Sequence, residues 1–358
     1  MTNRSDGMRY APKGKPNPVV KPGEFCFAAM ALDHGHIYGQ CNGLIEAGGT
    51  LVKVWDTEDE RLEHFRKTYP SAEVVRDPRA ILEDESIRLV AAAGIPNERA
   101  PLGLEVMRHG KDYFTDKCPM TTLEQLDQVR RAVADTGRKY MVYYSERLHS
   151  ESGVFAGDLV QDGAIGRVIQ VIGFGPHRLG AAGRPKWFFE RERYGGILTD
   201  IGSHQIEQFL FFTQAKDATI LYSRVANYDH PDYPELEDFG EVALLGDGGA
   251  SGYHRVDWFT PDGLRSWGDG RLFLIGTSGF IEVRKYIDLA SDYEQGDVVL
   301  LANSAGEKRF EVSGKVGFPF FGRLICDVLE RTETAMTQEH AFKAAELSLQ
   351  AQAQALRT

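Results

Sequence analysis

From Phe25 to Tyr144 the chain alternates mainly apolar strand-like runs with amphipathic stretches, and this rhythm constrains the fold more than any other feature. Phe25-Cys26-Phe27-Ala28-Ala29-Met30-Ala31-Leu32 holds no polar residue, as a strand requires when helices cover both faces of a parallel sheet. It ends in Asp33-His34-Gly35-His36, and a helix is predicted from Ile37 to Ala47, closed by Gly48-Gly49. Further strands are predicted at Thr50–Trp55, Ile87–Ala93, Lys111–Thr115 and Tyr140–Tyr144. Between the second and third, Thr57 with Glu60 reads as a capping box for a helix carrying Leu62, Phe65 and Tyr69. Asp77-Pro78 starts a short helix, the Gly94–Asn97 turn leads into one ending near His109, and another runs from Thr122 to about Asp135. Strands separated by helices pair in parallel, so these are βαβ units of a doubly wound sheet. Such sheets bind ligands beyond the carboxyl ends of their strands, where this chain places Asp33–His36, Asp56, Pro96, Asn97, Asp116 and Lys117.

The second half follows a different pattern. Val168–Phe174, Thr219–Ala226, Glu241–Leu245, Ser251–Trp258, Arg271–Ile275 and Phe280–Arg284 are longer, often alternating segments between Gly, Asp and Pro turns. They predict an open, mainly antiparallel sheet, with an Ala-rich helix over Gln338–Leu356. The expected fold class is thus α/β plus α+β: an arm over residues 1–22, a doubly wound domain over 23–145 and a second domain over 146–358.

Charge and cysteine usage exclude several functions. Lys plus Arg number 41 and Asp plus Glu 52, a net charge of −11 that would repel a nucleic acid. No run approaches the ~18 apolar residues of a membrane span. The four cysteines form no CxxC pair, which fits a reducing compartment, hence a cytoplasmic protein. The basic, proline-bearing N-terminus lacks the apolar core of a secretory signal, and no signal peptide is expected.

The first strand-to-helix turn is where a dinucleotide fold places GxGxxG, letting backbone approach a pyrophosphate at a helix N-terminus. Here it reads Ala31-Leu32-Asp33-His34-Gly35-His36, with all three glycine positions substituted. Asp56, ending the second strand, is placed to accept hydrogen bonds from ribose hydroxyls and to repel a 2′-phosphate, which favours NAD over NADP. Asp33-His34-x-His36 also admits a metal-dependent hydrolase reading, with His149, His177, His204 and His254 available as further ligands. The second half lacks the alternation that a closed βα barrel needs, and no metal is assigned.

Two further motifs carry chemistry. Tyr113-Phe114-Thr115-Asp116-Lys117-Cys118-Pro119 puts a lysine at the mouth of the fourth long strand. Gly195-Gly196-Ile197-Leu198-Thr199-Asp200-Ile201-Gly202-Ser203-His204 runs into an amphipathic helix, with Asp200 and His204 one helical turn apart and glycines that let backbone pass close to a ligand. On these residues, with Pro96-Asn97 and Gly276-Thr277-Ser278-Gly279, the chain resembles the Gfo/Idh/MocA sugar and inositol dehydrogenases from about residue 24 to 355. It departs from them in the substituted glycine motif and in Asp116-Lys117-Cys118-Pro119, where Cys118 takes the usual proline position.

The resemblance implies an N-terminal NAD-binding Rossmann domain, a C-terminal substrate-binding domain whose sheet mediates homodimers or homotetramers, and oxidation of a sugar, polyol or sugar-derivative alcohol. His204 is implied as general base, Lys117 as the cation on the substrate oxygen, and Asp200 as the group orienting the imidazole or a second hydroxyl. Asp33, His34, Gly35, His36, Asp56, Pro96, Asn97, Asp116, Lys117 and Glu146 are then expected around the cofactor. Arg147, His149, His177, Arg178 and Trp187 are expected around substrate, with Phe188 and Phe189 beside Trp187. Two other readings stay open: retained NAD serving redox-assisted glycoside cleavage, and ligand binding without turnover.

Overall fold

Cys26–Met30 (β1) is buried along almost its whole length and has a strand of the same sheet on either side. In the computed structural model, which describes residues 7–290 and 296–358, β1 pairs in parallel with β2 (Thr50–Trp55) and β4 (Ile87–Ala92). The two-residue β3 (Glu73–Val74) extends one edge, and β5 (Asp112–Asp116) and β6 (Tyr140–Tyr143) extend the other. The order is β3-β2-β1-β4-β5-β6, every pairing parallel, so the strand order reverses between β1 and β4. That is the doubly wound arrangement expected from the apolar runs, with its binding crevice at the reversal. The helices of this half are α1 (His36–Glu46), α2 (Asp59–Thr68), α3 (Arg79–Leu82), α4 (Pro96–Arg108) and α5 (Leu123–Thr136).

Two local expectations change. The start of α2 is Glu58, with no side-chain cap, so Thr57 and Glu60 do not form the capping box. Asp56 does that work, its Oδ1 accepting the Glu58 N–H at 2.8 Å. After a 3-10 turn over Gly7–Arg9 the arm has no regular structure, and residues 8–19 run along α1 from its first turn to its last. Asn42 donates to the Ala11 and Pro12 carbonyls, Glu46 accepts the Gly14 N–H, and the Val19 N–H reaches Ala47 O. Residues 1–6 of the arm lie outside the described residues.

The remaining helices are α6 (Ser145–Leu148), α7 (Glu151–Gln161), α8 (Arg191–Tyr194), α9 (Ile197–Asp200), α10 (Gly202–Thr213), α11 (Pro319–Glu330) and α12 (Gln338–Gln354). The second sheet comprises β7 (Val168–Pro176), β8 (Ala218–Ala226), β9 (Phe239–Gly246), β10 (Ser251–Asp257), β11 (Arg271–Gly276), β12 (Gly279–Arg284), β13 (Val298–Asn303), β14 (Gly306–Glu311) and β15 (Leu356–Arg357). Its order is β14-β13-β12-β11-β7-β10-β9-β8-β15. It is antiparallel except where β10 meets β7 and β15 meets β8, and α10 packs on β7, β9 and β10.

The chain divides into two compact units that are not continuous in sequence. One comprises Met8–Tyr143 with Phe318–Ala341; the other comprises Gly7, Tyr144–Gly317 and Phe342–Thr358. Residues 318–341, assigned from sequence to the second domain, cluster with the doubly wound sheet. The reason is packing: Phe320 and Phe321 on α11 meet Phe114 of β5, and a Cβ on Gly43 of α1 would lie 2.3 Å from the Phe321 ring. Among the described residues no helix is long and apolar enough to cross a membrane.

Candidate functional site

The first turn of the doubly wound unit keeps a glycine's backbone shape without the glycine. Ala31 has φ 53°, in the left-handed region, at the place of the motif's first glycine. Two of the turn's N–H groups are committed to protein: Leu32 N–H donates to Asp56 Oδ2 at 2.6 Å and His34 N–H to Ala93 O at 2.8 Å. Gly35 is still required, because a Cβ there would lie 2.4 Å from the Met8 carbonyl of the arm.

Asp56 is nearly enclosed, and Arg61 of α2 donates to its Oδ1 at 2.9 Å. The same guanidinium lies 3.3 Å from Asp33 Oδ1. Burial raises the Asp33 carboxyl above its ordinary value, and Arg61 offsets this only in part. The ends of β1 and β2 thus bring two carboxylates to one guanidinium, and Arg61 is a residue the sequence reading missed.

At the ends of β4 and β5 the organiser is Arg99, 1% exposed on α4. It donates to Gly94 O at 2.7 Å, to Cys118 O at 2.9 Å, to Lys117 O, and to Asp116 Oδ2 at 3.3 Å. One side chain therefore fixes both turns, and no sequence motif announces it. The Lys117–Cys118 peptide is cis. Lys117 is buried, as is Asp116, whose Oδ1 receives His36 Nδ1 at 2.9 Å. Burial by itself would raise the Asp116 carboxyl; His36 and Arg99 outweigh it and hold the group below its ordinary value. Pro96 opens α4, and Asn97 Oδ1 is buried with no hydrogen-bond partner among the described residues. An orphaned acceptor beside the strand reversal fits a ligand that brings a donor there.

In the other unit, His204 and Asp200 are both buried, on consecutive helices α10 and α9. The buried polar cluster beside them was not foreseen. Glu146 Oε2 accepts from Lys285 Nζ at 3.0 Å and from Gln205 Nε2 at 2.8 Å, and Glu146 Oε1 lies 3.8 Å from His177 Nε2. Burial outweighs the Glu146 carboxylate and lowers the Lys285 ammonium from its ordinary value.

Several expected substrate residues are held by structural partners. Arg147 forms a two-point pair with Glu207, Nε lying 2.8 and 2.9 Å from the two carboxylate oxygens, and covers the Phe211 ring at 3.7 Å. Arg178 spans the carbonyls of Pro261, Leu264 and Ser266 and so holds that loop. His177 packs against Trp258 and Trp267, Trp187 against Phe188, and His149 is fully buried below α6. The paired glycines also have a different cause from the one expected. Gly196 has φ 97°, and a Cβ there would lie 2.3 Å from Gln352 Oε1 of α12, so the close approach is to a protein side chain.

With this geometry in hand, comparison with known proteins places the chain. Residues 29–144 match a family described as oxidoreductases with an NAD-binding Rossmann fold, and residues 155–282 match the GFO/IDH/MocA C-terminal domain. A D-xylose dehydrogenase of Paenarthrobacter nicotinovorans is 26% identical over 41% of this chain and 39% of its own length. A scyllo-inositol 2-dehydrogenase (NADP(+)) of Bacillus subtilis is 26% identical over 53% of each. The chain therefore matches about half or less of these relatives. A crystal structure from Erwinia carotovora atroseptica, described only as a candidate oxidoreductase, is 51% identical over 93% of this chain and 99% of its own, with TM-score 0.90. Levoglucosan dehydrogenase with NADH and levoglucosan shares the fold at 17% identity and TM-score 0.75, over 91% of this chain and 95% of its own.

Proposed function

Because the chain belongs to the GFO/IDH/MocA family of oxidoreductases, we propose that it is an NAD-dependent dehydrogenase acting on a secondary alcohol of a sugar, polyol or sugar derivative. The observation that carries the reading is Lys117, a buried ammonium at the carboxyl end of β5 whose backbone Arg99 grips from α4. A cation fixed there has a use if an oxygen develops negative charge beside it.

The residues fit a dinucleotide through the β1/β4 reversal, the glycine-like turn at Ala31 and the orphaned Asn97 acceptor. Asp33, His34, Gly35, His36 and Asp56 would hold its phosphate and adenosine end; Pro96, Asn97, Asp116, Lys117 and Glu146 would hold its nicotinamide end. Asp33 and Asp56 together outnumber Arg61, which disfavours a dianionic 2′-phosphate and supports NAD over NADP. The bound cofactor supplies the hydride acceptor. His204 removes the hydroxyl proton, Lys117 hydrogen-bonds the same oxygen and favours the alkoxide, and Asp200 orients the imidazole or a neighbouring hydroxyl.

We place the enzyme in the cytoplasm as a homodimer or homotetramer. Phe280, Ile275, Gln170, Ser251 and Leu245 form one row across five strands of the larger sheet, with Phe280 47% and Leu245 41% exposed, which supports self-association through that face.

The test has two parts. NAD should raise the melting temperature and NADP should do so less, because a ligand that binds only the native state stabilises it. Lys117→Ala, assayed by reduced-nicotinamide absorbance on a panel of aldoses and inositols, should lose about a hundredfold or more in kcat. No response to either dinucleotide, or equal turnover by wild type and variant, rejects the proposal.

A further inference from the structure

We propose that His34, His36 and Asp116 form a binding site for one divalent transition-metal ion of the zinc, cobalt or iron(II) type. The dehydrogenase reading sets these three residues around the cofactor but neither requires nor predicts an ion among them. Both histidines lie in the turn after β1, His36 at the third glycine position of the motif, and Asp116 ends β5. The sheet order brings both turns to one edge of the unit, and one potential ligand atom from each residue lies within 4.8 Å of the others. Sequence reasoning looked for the partners of the His-x-His pair among His149, His177, His204 and His254. The third donor is Asp116, supplied by the βαβ topology.

Burial and chemistry both suit an ion. His34 and His36 are each 5% exposed and Asp116 is 0% exposed, so the donors are withdrawn from bulk water. Two imidazoles and one carboxylate form a set that borderline divalent ions take, with positions left over for water or a ligand. The outer contacts are those of a supported site: Arg99 holds Asp116 Oδ2 at 3.3 Å, leaving Oδ1 directed at His36. His34 Nδ1 completes the set, 3.5 Å from Asp116 Oδ2 and 3.3 Å from the His36 backbone nitrogen.

The experiment uses the full chain stripped with chelator, with no dinucleotide present. Zn(II) and Co(II) are titrated, metal retained after gel filtration is counted, and the visible Co(II) bands are recorded. One ion per chain is expected, with affinity lowered about tenfold or more in His36→Gln, Asp116→Asn and the milder His34→Gln. In wild type labelled with 15N-histidine, Zn(II) should shift two of the ten imidazoles, a readout that does not depend on any variant folding. Absence of stoichiometric metal, equal retention by wild type and all three variants, or shifts at other histidines would each overturn the site. Dinucleotide binding, measured by thermal shift on the same stripped protein, tests the dehydrogenase reading separately, so either can fail alone.

Discussion

Arg99 and Asp116 form an ion pair of 3.3 Å with side chains 1% and 0% exposed, joining α4 to the end of β5 directly before Lys117. Removing one member of such a pair leaves a desolvated charge, which costs about 3–5 kcal/mol. Arg99→Met is expected to destabilise the chain by that amount in urea, and Arg99→Met with Asp116→Asn to recover part of the loss. A single variant within about 1 kcal/mol of wild type would show that the pair adds little.

His254 on β10 gives a pH dependence with a definite sign. Burial pushes its imidazole down to about 3, and its Nε2 has no hydrogen-bond partner among the described residues. In the unfolded chain the same group protonates near its ordinary 6.5. The stability is intact above that value and is lost as the pH falls from there toward about 3, at about 1.4 kcal/mol per unit. His254→Leu removes the effect. Between pH 7 and pH 5, wild type should lose about 2 kcal/mol more than the variant in denaturant titrations; parallel losses would refute the assignment.

Gly196 is expected to tolerate no side chain. Ala there combines an unfavourable left-handed backbone with a collision on Gln352, together about 2–4 kcal/mol. Adding Gln352→Ala should relieve the collision and leave the backbone cost. Calorimetry of the single and double variants separates the two contributions.

Cofactor choice should turn on Asp56 and Arg61. Asp56→Ser removes a carboxylate and leaves Arg61 facing the ribose end, so the ratio of NADP to NAD affinity should rise about tenfold or more. Arg61→Ala should move it the other way. Titration calorimetry with both dinucleotides reads the ratio, and an unchanged ratio in both variants would place the adenosine ribose elsewhere.

The parallel sheet was legible chiefly through β1 and β4, apolar except for Arg88 because a strand covered on both faces has little freedom in its composition, whereas β5, with Asp112 and Asp116 at its ends, was legible from its place in the strand–helix rhythm. The larger sheet was legible as alternation, apart from β13, an apolar run without alternation, β14, which is mostly charged, and the two-residue β15, whose Leu356 was expected in a helix. Lys117, Asp116, Asp200 and His204 stood out because glycine and proline mark the turns that carry them. Arg99, Arg61, Lys285 and Gln205 did not, since each sits in an ordinary helix or strand and acquires its role from a partner distant in sequence. For Arg147 and Arg178, charge beside a predicted crevice suggested substrate, and the structure adds partners in the protein that the sequence did not announce, Glu207 and a ring of carbonyls.

Local sequence therefore determined the main strands of the parallel sheet, the helices that join them and where those strands end, because periodicity and turn chemistry act over a few residues. Tertiary structure decided which buried charges neutralise one another, why Gly196 is glycine, and that two histidines of one turn face the aspartate of another. Those outcomes depend on strand order, and strand order is fixed by packing among segments far apart in the chain, which no local pattern records.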